Sequence, residues 1–259
     1  MTKRLENQTA VVTGGAAGIG AACVRKLLVE GANVMLVDKD NEALETARQT
    51  FSVAGDAIKF GHFDVSREED RRSAIEQAIE WRGSCDVLIN NSAAFVMKGI
   101  EAEPSDWQVV FELNVVACAR LAHWMATHAR FVGINRSIVN ICSVSATHAQ
   151  SHFATYNASK GALLTLTKCM ALDLAAAGIR VNSVSPGTIW TESNAAHILR
   201  RFGIDRGGAD EHPDLGGKHV MRRLGDPHEV ANAVAFLASS EASFITGANL
   251  VVDGGYSIV

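Results

Sequence analysis

The chain has 259 residues, 47% apolar and 20% charged, with a formal net charge of −4. These values fit one large α/β domain and argue against broad electrostatic attraction to nucleic acid or to an anionic membrane. Residues 1–8 lead into no apolar segment of the kind a secretory signal needs, and Lys168 and Asp173 break the longest apolar run, so no membrane span is expected.

Short β-branched runs alternate with helical stretches. Strands are predicted at residues 9–13, 33–37, 57–63, 87–90, 137–142, 180–185 and 249–252, and helices at 19–30, 68–81, 105–128, 155–177 and 227–239. Alternation of nearly all-apolar strands with helices predicts a doubly wound parallel sheet with helices on both faces, built as a single domain over 1–259. Residues 189–225 break the rhythm. They are rich in Gly, His, Arg and Asp, and their place late in the domain makes them an expected lid over a ligand at the carboxyl ends of the strands. Five cysteines are scattered and never spaced C-x-x-C, which fits the reducing cytoplasm better than a zinc ribbon or a disulfide framework.

The first strand runs into Thr13-Gly14-Gly15-Ala16-Ala17-Gly18-Ile19-Gly20, which opens the first helix. Missing Cβ atoms let such a turn approach a pyrophosphate, and the helix start offers free N–H groups to the anion. Asp38 follows the second strand. A carboxylate there can bind both hydroxyls of an adenosine ribose and would repel a 2′-phosphate, so NAD is expected rather than NADP, although Lys39 could soften the preference.

Tyr156 and Lys160 stand four apart in a helical stretch, on one face and one turn from each other. A free phenol ionises at about pH 10 and is a poor base at neutral pH. An adjacent ammonium and a cationic nicotinamide ring would stabilise the phenolate, which could then exchange a proton with a carbinol oxygen. Ser143, thirteen residues earlier at a strand end, could hold that oxygen. His148 and His152 are also four apart, but no third ligand is spaced to help, and no metal is expected.

With these residues assembled, the chain resembles the short-chain dehydrogenase/reductase family from Asn7 to its end, which implies a Rossmann-type fold and NAD-linked oxidation of CH–OH. The family's glycine turn reads Thr13 to Gly20, its adenine-contacting pair Asp64-Val65, and its strand-four motif Asn90-Asn91-Ser92-Ala93, where Ser92-Ala93 replaces the usual Ala-Gly. Its Asn-x-x-x-Pro-Gly reads Asn182 to Gly187. The resemblance implies Tyr156 as acid/base, Lys160 on the nicotinamide ribose and the tyrosine, Ser143 on substrate, and Asn114 holding a relay water. It places Gly14, Ala17, Gly18, Ile19, Gly20, Asp38, Asp64, Val65, Asn91, Ser92, Ala93, Pro186, Gly187, Ile189 and Thr191 around the cofactor, and suggests a homotetramer.

Substrate contacts are expected from Phe95, Ser143, Ser145, Gln150, Trp190 and Arg201. Donors and acceptors converging there favour a sugar or polyol, such as an aldose oxidised at its anomeric carbon, and the lid cations could also serve an acidic sugar. Two alternatives remain: an NADH-dependent carbonyl reductase or hydroxysteroid dehydrogenase, and a non-catalytic NAD-binding sensor or scaffold.

Overall fold

The computed structural model describes residues 3–128 and 135–258. Seven strands form one parallel sheet in the order β3-β2-β1-β4-β5-β6-β7. They are β1 (Thr9–Thr13), β2 (Asn33–Asp38), β3 (Ile58–His62), β4 (Val87–Asn90), β5 (Arg136–Ile141), β6 (Ile179–Pro186) and β7 (Asn249–Val252). The chain winds outward from β1 to β3, then returns to place β4 on the other side of β1. The carboxyl ends of β1 and β4 therefore flank a crevice where the winding reverses.

Side-chain alternation along the strands builds two cores. Ala10, Val12, Val34 and Leu36 point to one face, where Cys23, Val24 and Leu27 of α1 (Gly18–Val29) and Val230, Val234 and Ala235 of α9 (Pro227–Ala238) cover them. Val11, Met35 and Val37 point to the other. There they meet Ala74, Ile75 and Ala78 of α3 (Glu68–Arg82), Leu121 and Met125 of α5 (Ala117–Thr127), and Met170 of α6 (Ala154–Asp173). Continuous burial on both faces is what a parallel sheet requires of its strands.

The helix expected over 105–128 is three pieces, α4 (Pro104–Phe111), a π-helical turn at Glu112–Val116, and α5. By length and apolarity alone residues 104–127 would suit a membrane span. Here the stretch is a core helix, with Val110, Ala117, Leu121 and Met125 buried. Two more helices arise where none was expected. One is α2 (Asn41–Thr50), whose first turn is capped by the Asp40 side chain accepting from the Glu42 and Ala43 N–H groups. The other is α7 (Glu192–Phe202) inside the 189–225 segment, followed by the short α8 (Arg206–Glu211). That segment is no bare polar loop, because Ile198, Ala209 and Leu224 pack with Trp190, Phe202, Ile204 and Leu215 into a small core of its own.

The N-terminal arm is tied to the end of α1 by charge. Arg4 donates to Glu30 at 2.6 Å, and Lys26 pairs with the same carboxylate at 2.9 Å. The hydrogen bond from Arg4 outweighs burial and, with Lys26, holds the Glu30 carboxyl down to about 2. A carboxyl lowered on folding contributes stability above its unfolded pKa of about 4.3 and loses it as pH falls toward 2. Glu30→Gln is therefore expected to cost about 1–2 kcal/mol at pH 7. Denaturant melts should show the variant and the parent converging between about pH 4.3 and pH 2.

Candidate active site

The glycine turn lies in the crevice. Gly14 adopts φ +61°, and a Cβ there would come within 2.9 Å of Asn91 Nδ2. At Gly20 a Cβ would overlap the Gly14 carbonyl oxygen. The turn is braced from β4. Asn91 donates through Nδ2 to the Thr13 and Gly14 carbonyls at 2.9 Å, while the Asn91 and Ser92 N–H groups donate to Thr13 Oγ1 at 3.0 and 3.1 Å. Ser92 lies against Gly14 and Ala93 follows it along the crevice wall, so the departure from the family's Ala-Gly is accommodated beside the turn.

Helix α1 begins after Ala17 with no capping side chain and no acidic residue in its first turn, whereas α2, α7 and α9 are each capped by a side chain. Its leading N–H groups, at Gly18, Ile19 and Gly20, thus carry the helix-end positive potential into the crevice. The region fits a dinucleotide pyrophosphate: a close backbone approach that any Cβ would fill, beside an uncapped helix start. Thr191, the cap of α7, faces the turn from across the crevice, its methyl 3.3 Å from where a Gly18 Cβ would stand. Asp38 at the end of β2 accepts from the Ala16 N–H at 3.2 Å, which sets a carboxylate beside the same turn. Asp64, beyond β3, accepts from the Ser66 N–H at 3.0 Å. Partial burial pushes its carboxyl up, but hydrogen bonds from Ser66 and the charges of Lys39 and Arg67 prevail and hold it below the usual range. Val65 beside it is buried.

Tyr156 and Lys160 lie on the buried face of α6. Lys160 Nζ donates to the Ile141 carbonyl at 2.8 Å and stands 5.6 Å from the Tyr156 ring centre. One of its three N–H donors is spent on β5 and two remain. Phe95 stacks on the phenol at 5.2 Å between centres and is itself largely exposed, so it forms an outer wall over Tyr156. Ser143 follows β5, and the 3-10 turn Val144–Ala146 behind it packs on α6. Its Oγ accepts from the Ser145 N–H at 3.1 Å, leaving the hydroxyl hydrogen to donate elsewhere. Ser145 Oγ in turn donates to Gln150 Oε1 at 2.8 Å.

The π-helical turn brings Asn114 inward. Its Oδ1 accepts from the Ala94 N–H at 2.7 Å, and its Nδ2 donates to the Ala94 carbonyl and to Ser159 Oγ at 3.1 and 3.0 Å. Both amide hydrogens are used inside the protein. Asn114 therefore clamps the strand-four loop to α6, and a water in its reach would meet an oxygen rather than an N–H.

Pro186, Gly187, Thr188 and Ile189 cross from β6 toward the lid. Ile189 bridges to Gly225 at the lid's far end. Trp190 packs in the lid core beneath Arg206, whose guanidinium lies 5.5 Å from its ring. Arg201 is exposed on α7 with its guanidinium over Phe202. Packing within the lid, rather than contact with Tyr156 or Ser143, is what the described contacts give these two residues. A residue that spacing did not single out ties the 189–225 segment to the segment after β6. His219, 2% exposed, accepts at Nε2 from the Thr188 N–H at 3.3 Å and donates from Nδ1 to the Leu215 carbonyl at 3.0 Å. Thirty-one residues separate it from Thr188, and the bridge between Ile189 and Gly225, with the Gly225 N–H donating to the Thr188 carbonyl, helps to bring the two together.

Known proteins of similar sequence are dehydrogenases and reductases. A family model described as enoyl-(acyl carrier protein) reductase matches residues 14–257. A 2-(S)-hydroxypropyl-CoM dehydrogenase of Xanthobacter autotrophicus is 33% identical over the whole of both chains. A glucose 1-dehydrogenase of Bacillus subtilis is 35% identical, covering 100% of this chain and 98% of its own. The rabbit dehydrogenase/reductase SDR family member 4 is 34% identical over 97% and 94% respectively.

Proposed function

This chain belongs to the short-chain dehydrogenase/reductase family, and on that footing we propose that it oxidises a secondary or anomeric hydroxyl of a sugar or polyol with NAD. Enzymes of this kind act on CH–OH with a nicotinamide cofactor, NAD or NADP. The observation that carries the reading is the Tyr156–Lys160 pair, buried on one face of α6 with Phe95 over the phenol. A non-catalytic binder would have no use for a phenol and an ammonium sequestered together beside a polar, partly open wall.

When bound, the cofactor supplies the acceptor for the hydride leaving the carbinol carbon. Tyr156 takes the hydroxyl proton as that carbon is oxidised. The Lys160 ammonium stabilises the phenolate electrostatically, and its two remaining N–H donors are available to ribose hydroxyls. Ser143 donates to the substrate oxygen and keeps it oriented toward Tyr156. Asn114 holds the Ala94 segment, and Phe95 beside it, against α6. Asn91 holds the glycine turn in the shape the pyrophosphate needs. Asp64, Val65, Ala93, Pro186, Gly187, Ile189 and Thr191 complete the walls assigned to the cofactor, with 189–225 as the lid.

Asp38 supports NAD. Its carboxylate, fixed by the Ala16 N–H, occupies the side of the turn where a 2′-phosphate would bring further negative charge. Asp38→Ala is expected to move the ratio of kcat/KM for NADP over NAD upward by about 10–100-fold, through loss of repulsion with NADP and of a ribose hydrogen bond with NAD. An enzyme already faster with NADP before substitution would overturn the assignment.

The Ser145–Gln150 pair and the likeness to a glucose 1-dehydrogenase support a hydroxylated substrate. Mixing the protein with NAD and a panel of aldoses, polyols and hydroxysteroids, and following NADH absorbance, tests this. Turnover of a hydroxysteroid with silence on every sugar and polyol would replace it with the steroid reading. Five unpaired thiols, four of them buried, support a reducing cytoplasm. Assembly as a homotetramer is supported by exposed Leu250 and Val251 on the edge strand β7 and by exposed Leu172 on α6.

A further inference from the structure

We propose that the substrate carries an anionic group (carboxylate, sulfonate or phosphate) and that this group seats in a cavity between the segment after β5 and the lid, where Lys218 and Arg222 neutralise it. The inference rests on the dehydrogenase reading above and specifies its substrate class.

The cavity has a volume of about 480 Å³, and its wall includes His148, Lys218, Arg222 and Tyr256. Among the described residues no carboxylate lines it. It is coupled to the catalytic face of α6, because Asn157, next to Tyr156, donates through Nδ2 to the His148 carbonyl at 2.7 Å. From His148 the same stretch continues through Ala149 to Gln150, the partner of Ser145. A molecule whose carbinol lies at Tyr156 and Ser143 thus has this cavity as the next recess along the wall.

The cations of the lid sort by how they are used. Arg206 is consumed by Asp210 and Asp226 at 3.0 and 2.9 Å, and Arg223 by Glu229 at 2.7 Å. His197, Arg200 and Arg201 lie exposed along α7. His219 has both ring nitrogens engaged with backbone. Lys218 and Arg222 are also exposed, but they border the cavity. Lys218 has only a loose 3.6 Å contact with the exposed Asp214, and Arg222 donates through Nη1 to the neutral Gly217 carbonyl. Both line the cavity, so among the described residues its wall holds two cations and no anion.

Arg222 is also held at φ +54°, one of three non-glycine residues with positive φ among those described. A side chain in the left-handed region costs about 1 kcal/mol or more and persists where the surroundings demand it. Here the Met221 N–H donates to the Gly254 carbonyl and the Arg222 N–H to the His219 carbonyl, which pins the backbone so that Arg222 borders the cavity. Tyr256 closes the far side, its ring edge-on to His148 and tilted against His219. Rings wall one side of the recess, and an anion seated there meets two solvent-facing cations at once.

The test compares charged and neutral partners of one skeleton: D-glucuronate with D-glucuronamide, D-glucose 6-phosphate with D-glucose, and 4-hydroxycyclohexanecarboxylate with its amide. In at least one pair the charged member is expected to exceed the neutral one in kcat/KM by about tenfold or more, and the Lys218→Gln/Arg222→Gln double variant should bring that ratio to within about threefold of one. Because the ratio is measured on one preparation, loss of folded protein does not alter it. Equal kcat/KM within every pair, or an advantage that survives the double substitution, overturns the proposal. Should no alcohol be oxidised, the dehydrogenase reading fails separately. The cavity is then judged by calorimetry with inorganic phosphate: saturable binding that the double variant loses sustains it, and absence of binding overturns it.

Discussion

Replacing Tyr156 with Phe is expected to lower kcat by about 10³-fold, roughly 4 kcal/mol, while dinucleotide affinity changes less than about threefold. The phenyl ring keeps the stacking with Phe95 and the volume against α6, so only the hydroxyl is removed. Lys160 keeps its bond to the Ile141 carbonyl, and the site loses its proton acceptor without losing its shape. Stopped-flow measurement of NADH formation, alongside fluorescence titration of the cofactor, separates the two effects. A variant that retained a tenth of parental turnover would assign the proton to another group and remove the basis of the mechanism. A collapse in both turnover and dinucleotide affinity would instead mean that the hydroxyl holds the site together.

Gly20→Ala is expected to be nearly as severe by a different route. The added methyl group would overlap the Gly14 carbonyl oxygen and approach Asn91 Nδ2 at 2.6 Å. The oxygen belongs to backbone that Asn91 already holds, so no rotamer change relieves the clash. The turn must open instead. Overpacking of this kind costs about 2–4 kcal/mol of stability, and the displaced turn should weaken cofactor binding by about 100-fold or more. Thermal melts with and without NAD distinguish the components, since the parent should gain stability from the cofactor and the variant should gain almost none. A variant with parental affinity would show that the turn does not contact the dinucleotide.

Much of the architecture could be read from residue order because the central strands β1, β4, β5 and β6 are buried on both sides. Residues 9–13, 87–90 and 249–252 match observed strands at both ends, since a continuous apolar run bounded by polar residues leaves little choice of register. Helix α2 escaped because only Leu44 and Ala47 of its ten residues are buried, too short an apolar stripe to stand out from a loop. The cue that could have found it was Asp40 at the cap position. Helix α7 was hidden within a polar composition. Its inward residue Ile198 packs on a core local to the lid, and no main-sheet strand advertises that partner.

At the site, the sequence pattern pointed to Gly14, Gly20, Asp38, Tyr156 and Lys160, because each belongs to a short motif with a local mechanism. The π-helical turn at Asn114 was invisible, since inserting one residue into a helical turn leaves the apolar spacing around it almost unchanged. The use of both Asn114 amide hydrogens by Ala94 and Ser159 is a property of three separate elements meeting. Trp190 and Arg201 stood out for their residue types, and the structure gives each a packing partner inside the lid. His219 has no motif around it, and its importance comes from what it touches.

That contact ties residues 215–219 to the segment after β6. The Thr188 amide proton is secured by a ring on the lid, so any swing that carries residues 215–219 outward exposes it to solvent. Deuterium uptake at that single amide would therefore clock outward movement of residues 215–219 from the strap that follows β6.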